Sequence, residues 1–458
     1  MTEFLLVANF FLWGAMKQRS VIRFAFLAFG LAGYCIGAEG QKTVVIHAGQ
    51  LFDGKSDRLL SNQLIVIKGD RIVEVGPAES VKIPAGAEEI DLGKATVLPG
   101  LIDGHAHLFK TSKLGGGSAF TVQMLLTDSW QYRTIVAVLN ARKNLEAGFT
   151  TMRDCGTVGA MYSDTDLRRA INEGLVPGPR LQVATIPLIG TTWLPPSRGP
   201  QRSFSPEVTV PMGARAVDSP WEGRKAVRDN FKYGADFIKV FPGGSPAHFE
   251  PDGRLWVPAT MTLEEDRAIV DEAHRQGIKA ACHAFGGVPL RDSIEAGCDS
   301  IEMADDVDPE SISKMSEKGI FLVMALSQVK NSESSELQAT QGKYSRAAMQ
   351  KVSLQRALKA GVKVAFGPNA GDSGPEHGTQ AKDVEYMADY GMKPVQVLHA
   401  ITNVGAELMS WQDRVGTIEK GKYADVVAVA GNPLADITEL ERVKFVMKGG
   451  EIVRNDLK

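Results

Sequence analysis

Short apolar runs rich in β-branched residues alternate with stretches of helical period through most of this chain. Eight of the runs read as strands: 96–108, 150–154, 180–186, 236–241, 278–283, 300–303, 320–324 and 362–366. Between them lie helical patterns such as 132–147, where Ile135, Val138, Leu139 and Leu145 share a face and Gly148 supplies the stop. Strand and helix alternating eight times predict an α/β fold, a (β/α)8 TIM-like barrel over residues 99–410. Chemistry in such a barrel sits at the C-terminal ends of its strands.

The flanks follow a different period. Residues 43–46 and 64–67 are strand-like, and the second runs through Gly69-Asp70 into 71–75, a hairpin signal. At the other end, 423–429 and 443–447 are followed by Gly449-Gly450 and then 451–454. Hairpins of this kind need a partner sheet, so residues 42–98 and 411–458 are expected to form one small composite β-sandwich from both chain ends.

The first 38 residues stand apart. An apolar run, 4–15, precedes Lys17, Arg19 and Arg23, and a second run, 24–38, ends in the small residues Gly37 and Ala38. This describes an export signal, with Met16 as an alternative start, or else a retained membrane anchor. The expectation is therefore an exported protein, periplasmic or extracellular, touching a membrane only through an uncleaved leader.

Composition narrows the function classes. The chain has 458 residues, 44% hydrophobic and 23% charged, with 47 glycines and 22 prolines, as an ordinary globular protein does. Fifty-one basic residues against 54 acidic ones leave no positive field for phosphate backbones, which excludes nucleic acid as a partner. Four cysteines with no C-x-x-C pair exclude a disulfide framework and a structural zinc knuckle. What remains is a small-molecule partner, with oligomerisation left open.

The candidate chemistry sits at predicted strand ends. His105 and His107 close Leu98-Pro-Gly-Leu-Ile-Asp-Gly-His-Ala-His107, and at period two both imidazoles project to the same side, as two ligands of one metal must. Lys239 lies inside the apolar strand Phe237-Ile-Lys-Val-Phe241, where an ammonium is costly unless it pairs or loses its proton. A neutral amine there is able to add carbon dioxide and become a carbamate. His283 closes the fifth strand and completes the set.

These residues carry a resemblance. The Leu-Pro-Gly-Leu-Ile-Asp-Gly-His-Ala-His start, Asp236-Phe-Ile-Lys-Val, the strand-end His283, Ala365-Phe-Gly, and the tail 416–425 with Gly431-Asn-Pro433 resemble the amidohydrolase superfamily. The imidazolonepropionase-like and prolidase-like branch, which uses a carboxylated lysine, is the nearest in pattern. The resemblance implies a barrel flanked by a β-sandwich and a divalent metal, zinc first, that serves hydrolysis of an amide or related C–N bond. His105, His107, Lys239 and His283 become the metal ligands, Lys239 as a carbamate bridge.

Two positions depart from the family pattern. Ile301-Glu302-Met303 stands where the family has Ile-Glu-His, and Gly367-Pro368-Asn369-Ala370-Gly371 stands where it has Gly-Thr-Asp-Ala-Gly. The family's aspartate ligates metal and takes the proton of water; the Asn369 amide has no basicity near neutral pH. The count predicts one tight metal site, built from His105, His107 and carbamylated Lys239, and a second that is weak or absent. Asp372 is a candidate substitute base and His377 a candidate substrate contact. The expectation is a metal-dependent amidohydrolase acting on a dipeptide, an N-acyl amino acid or a similar small molecule. The alternative is a catalytically lapsed barrel that binds a small ligand.

Overall fold

The computed structural model describes residues 42–110, 118–193, 213–244, 248–332, 344–372 and 374–457. The predicted leader lies outside these residues. Among the described residues no helix is long and apolar enough to cross a membrane.

Both flanks enter one seven-stranded sheet. From the N-terminal side come β1 (Thr43–Leu51), β2 (Leu60–Lys68), β3 (Arg71–Pro77) and β4 (Glu88–Pro99). The strands predicted from the C-terminal side enter the same sheet as Val426–Val429, Phe445–Lys448 and Glu451–Asn455, the first of which pairs antiparallel with β4. The hairpin at Gly69-Asp70 forms, with Lys68 opposite Arg71. So does the one at Gly449-Gly450, where both glycines take the positive φ that a tight turn between right-twisted strands needs. Alternating residues bury separate clusters on the two faces, with Val44, Ile46 and Ile65 on one and Val45, Leu64 and Val66 on the other.

All eight predicted barrel strands are present. The first three are β5 (Leu101–Ala106), β6 (Phe149–Asp154) and β7 (Arg180–Val183); two short strands outside the eight follow, β8 (Leu188–Ile189) and β9 (Arg215–Ala216). The series continues with β10 (Phe237–Phe241), then, past the hairpin β11 (His248–Phe249) and β12 (Leu255–Trp256), with β13 (Lys279–His283), β14 (Ser300–Glu302), β15 (Phe321–Met324) and β16 (Val364–Phe366). Pairing within β5–β7 and from β8 and β10 through β16 is parallel. Single backbone bonds join these two groups: Asp236 N donates to Val183 O at 2.8 Å, Asn369 N to His105 O at 3.0 Å, and His107 N to Ala370 O at 2.8 Å. The run 96–108 is broken at Gly100, so its first half belongs to the flanking sheet and its second half to the barrel.

Helix α1 (Ser118–Thr127) leads into α2 (Trp130–Glu146), which forms where the periodicity places it and buries Leu145, with Val138 packed against the core, but turns the other two residues of the predicted face outward. Ile135 and Leu139 are 62% and 56% exposed, whereas Arg133, Asn140 and Asn144 are buried. The physical reason is the loops beneath it. Arg133 donates to the carbonyls of Phe109, Thr157 and Val158, and Asn140 donates to those of Leu108 and Lys110. Buried carbonyls require donors, and here that requirement outweighs the apolar stripe. Two of the cysteines also depart from expectation: Cys282 and Cys298 are joined, with Cα atoms 6.1 Å apart. A single bridge is not a framework, and it closes a short local loop between β13 and β14.

Candidate functional site

Strand alternation places the side chains of β5, β6, β10, β13 and β14 inside the barrel mouth. His105 is 1% exposed, and its Nδ1 lies 2.7 Å from Glu302 Oε2. A carboxylate only accepts, so Nδ1 carries the proton and Nε2 presents a lone pair, which faces Lys239 Nζ at 3.3 Å. His107 is arranged alike. Its Nδ1 donates to Gly156 O at 3.1 Å, leaving Nε2 unprotonated. The two imidazole centroids are 5.5 Å apart.

Burial sets the charge states. It pushes His105 down to about 4, with the Lys239 charge adding to the effect, and lowers His107 well below the ordinary imidazole range, helped by His105. Lys239 is fully buried and its amine is lowered, again by burial first. Burial would raise Glu302, yet Arg153 and His105 overcome it and hold the carboxyl far below the usual carboxylate range. Arg153 ion-pairs with Glu302, and Ser300 Oγ donates to the same carboxylate at 2.6 Å.

His283 ends β13, beside β10 in the sheet, with Phe241 and Phe285 each 4.6 Å from its ring. Burial and the Lys239 charge lower its pKa well below the ordinary value. Lys239, His105, His107 and His283 thus occupy one electrostatic neighbourhood. Among the described residues no three His, Cys, Asp or Glu side chains gather as a metal site; the further nitrogen beside His105 is Lys239 Nζ, 3.3 Å from its Nε2.

The two departures from the family pattern differ in kind. Met303 packs into an apolar cluster with Leu255, Val257, Phe285 and Ala325, and its φ of 67° is unusual for a bulky residue. Asn369, with φ 62°, donates from Nδ2 to Gln328 Oε1 at 2.8 Å, while its buried Oδ1 has no hydrogen-bond partner. Asp372 ion-pairs with Lys110; burial opposes its ionisation, but Lys110 and His107 lower the carboxyl below its usual range.

His377 is not a rim residue. It is 6% exposed, accepts from Asn144 Nδ2 at Nδ1 (3.0 Å) and donates from Nε2 to His107 O (3.1 Å). The predicted substrate contact is therefore a buried post under the His107 strand end, placed there because α2 turns Asn144 inward. Gly371 makes room for it: a Cβ on this residue would lie 2.3 Å from His377 Nε2. Gly367 does the same for His105, whose Cβ would be 2.8 Å from an added one.

Sequence reading missed Glu302 and Arg153 as the groups that orient His105. The signal was period two, since Ser300 and Glu302 share a strand face, as do Thr151 and Arg153. Nothing in the sequence pointed to Gln328 or Asn144.

The chain and its fold are similar to known proteins. Residues 96–453 match the amidohydrolase family. The chain belongs to that family. It is 27% identical to the ochratoxinase of Aspergillus niger, over 90% of this chain and 87% of that one. An imidazolonepropionase of Alkaliphilus metalliredigens is 23% identical over 88% of this chain and 92% of its own length. The solved structure of a Xaa-Pro dipeptidase with bound methionine in the active site is 31% identical, with a TM-score of 0.77, covering 90% of this chain and all of the other. This amidohydrolase is a barrel hydrolase acting on C–N bonds.

Proposed function

We propose that this amidohydrolase cleaves the amide bond of a dipeptide, an N-acyl amino acid or a similar small molecule, at a centre that holds one divalent ion tightly, with zinc first among the candidates. The reading rests on one observation above all: two imidazoles with their Nδ1 atoms already occupied stand beside a buried lysine amine 3.3 Å from His105 Nε2. Orienting partners of this kind fix ring and tautomer for metal binding. The dipeptidase among the similar structures supports the substrate class.

His105, His107 and Lys239 would hold the ion, Lys239 as a carbamate. Its unprotonated Nζ adds to the carbon of carbon dioxide and releases a proton, giving a carboxylate without a carboxylic residue. His283 and the carbamate would face a second position, which the apolar packing of Met303 leaves weak. When bound, a divalent ion supplies Lewis acidity toward a carbonyl oxygen and acidifies water. Glu302 keeps the proton on His105 Nδ1, and the Gly156 carbonyl keeps the one on His107 Nδ1. Asn369 cannot take a proton, so that duty falls to Asp372, whose basicity Lys110 holds down. A base this weak leaves the enzyme slow, by roughly 10²–10⁴, on ordinary family substrates.

We also propose that the protein is exported. The leader pattern supports this, and so does the Cys282–Cys298 bridge, since disulfides persist in oxidising compartments.

Hydrolysis of a panel of dipeptides and acylated amino acids by zinc-loaded protein tests the reading. Activity should disappear in Lys239→Ala and rise in the Met303→His, Asn369→Asp double variant. If neither the native chain nor the double variant cleaves any member, amide hydrolysis is ruled out and a ligand-binding barrel stands in its place. Asn369 is the observation that favours this second reading.

A further inference from the structure

The interior face of β10 carries an aromatic layer that the proposed chemistry does not use. Period two puts Phe237, Lys239 and Phe241 on that face, while Ile238 and Val240 point the other way into the main core. Phe237 is the deepest of the three and is buried. Phe241 sits at the open end of the strand, only half-buried, with its ring centre 5.0 Å from Lys239 Nζ and 4.6 Å from the ring of His283. Trp193, also half-buried, meets Phe241 edge-on at 5.2 Å.

Trp193 comes from the turn after β8, and the fold itself holds that turn. Trp193 N donates to Gly190 O at 3.0 Å, and Thr191 N donates to Asp218 Oδ1 at 2.9 Å. A Cβ on Gly190 would lie 1.8 Å from Thr260 O, so the turn settles against that carbonyl only because the residue is glycine. The two rings are thus fixed in their mutual position before anything binds, and each keeps part of its surface uncovered beside Lys239 and His283. An uncovered flat face next to a reacting centre is what a planar apolar group stacks against.

We propose, on the amide-hydrolase reading given above, that Phe241 and Trp193 form a stacking wall that selects amides bearing an aromatic ring beside the scissile bond. A ring laid on Phe241 stays next to Lys239 and His283, so the amide attached to it lies at the proposed centre rather than out on the rim. An aliphatic group meets the same wall with less contact area and without the pairing of ring edge and ring face that aromatic neighbours provide.

Zinc-loaded full chain assayed on N-benzoylglycine, N-acetylphenylalanine, N-acetylleucine and N-acetylglycine tests this, the first two placing the ring on opposite sides of the bond. For at least one ring-bearing member kcat/KM should exceed that for N-acetylleucine about tenfold. The ratio should fall below about threefold in Phe241→Leu and in Trp193→Leu, each of which keeps an apolar side chain but removes the flat face. Circular dichroism of both variants should match that of the native chain, and either variant suffices if the other does not fold. A native ratio near one overturns the proposal. So does an equal slowing of all four substrates in both variants, which would mean that the rings only prop His283. Calorimetric titration of the zinc-loaded protein with cleavage products reads the wall without turnover: benzoate should bind about tenfold more tightly than acetate, or phenylalanine than leucine, with the difference lost in Phe241→Leu. If nothing is cleaved and this preference holds, hydrolysis fails and the wall stands; if all four substrates are cleaved at like rates, hydrolysis stands and the wall fails.

Discussion

An imidazole offered to a cation through one nitrogen needs a partner for the other, and Glu302 fills that place for His105. Replacing it by Gln removes the charge that fixes the tautomer and strands Arg153 without a counter-charge. Zinc affinity of Glu302→Gln, measured by competition with a chelating dye, should fall about 10–100-fold. Its stability in urea should fall by about 3–5 kcal/mol, the usual cost of breaking a buried pair. His377 gives a pH prediction of definite sign. Burial pushes it down to about 4 in the folded protein, from an ordinary 6.5. The unfolded chain therefore binds more protons between those values, and stability is lost as the pH falls through that window. Relative to His377→Gln, the native protein should lose about 1.4 kcal/mol per pH unit between 6.5 and 4, read from paired denaturant titrations. A pH-independent difference would contradict the buried neutral assignment.

At the scale of elements, α2 shows what periodicity conveys and what it does not. Its end was legible, because Gly148, at φ 99°, follows the cap residue Ala147; its start lies two residues earlier than expected, where Ser129 caps it by accepting from Tyr132 N. Its inner face was legible only in Leu145 and Val138, because the need for donors beneath the rest arises from loops distant in sequence. Asn144 shows the consequence: it donates to His377 and accepts from Gly378 N and Gln380. Asn144→Ala should cost about 1–3 kcal/mol through the unsatisfied groups it leaves, although sequence pattern ranks it as a surface position. The eight strands were legible for the opposite reason, since parallel barrel strands are buried on both faces and read as continuous apolar runs. His105, His107, Lys239 and His283 were legible because they interrupt or close those runs. The partners that orient them lie on other strands, where only the folded register joins them.

For the whole molecule, the Cys282–Cys298 link ties the strand that carries His283 to the start of the next. Closing a loop of 16 residues restricts the unfolded chain by about 3 kcal/mol in the entropic account. Cys298→Ser should lower stability by that order in urea and remove any effect of dithiothreitol on the native unfolding midpoint. The molecule as a whole is an amidohydrolase barrel; the proposed function keeps the metal-binding half and places Asn369 where the family has its base, and so separates binding from turnover.

Metal content measured after zinc and bicarbonate loading and exhaustive desalting addresses the binding half directly. The account predicts close to one equivalent per native chain, and less than about a tenth of that in Lys239→Ala and in the His105→Ala, His107→Ala double variant. Native protein that retains no zinc, or variants that retain as much as the native chain, would contradict it.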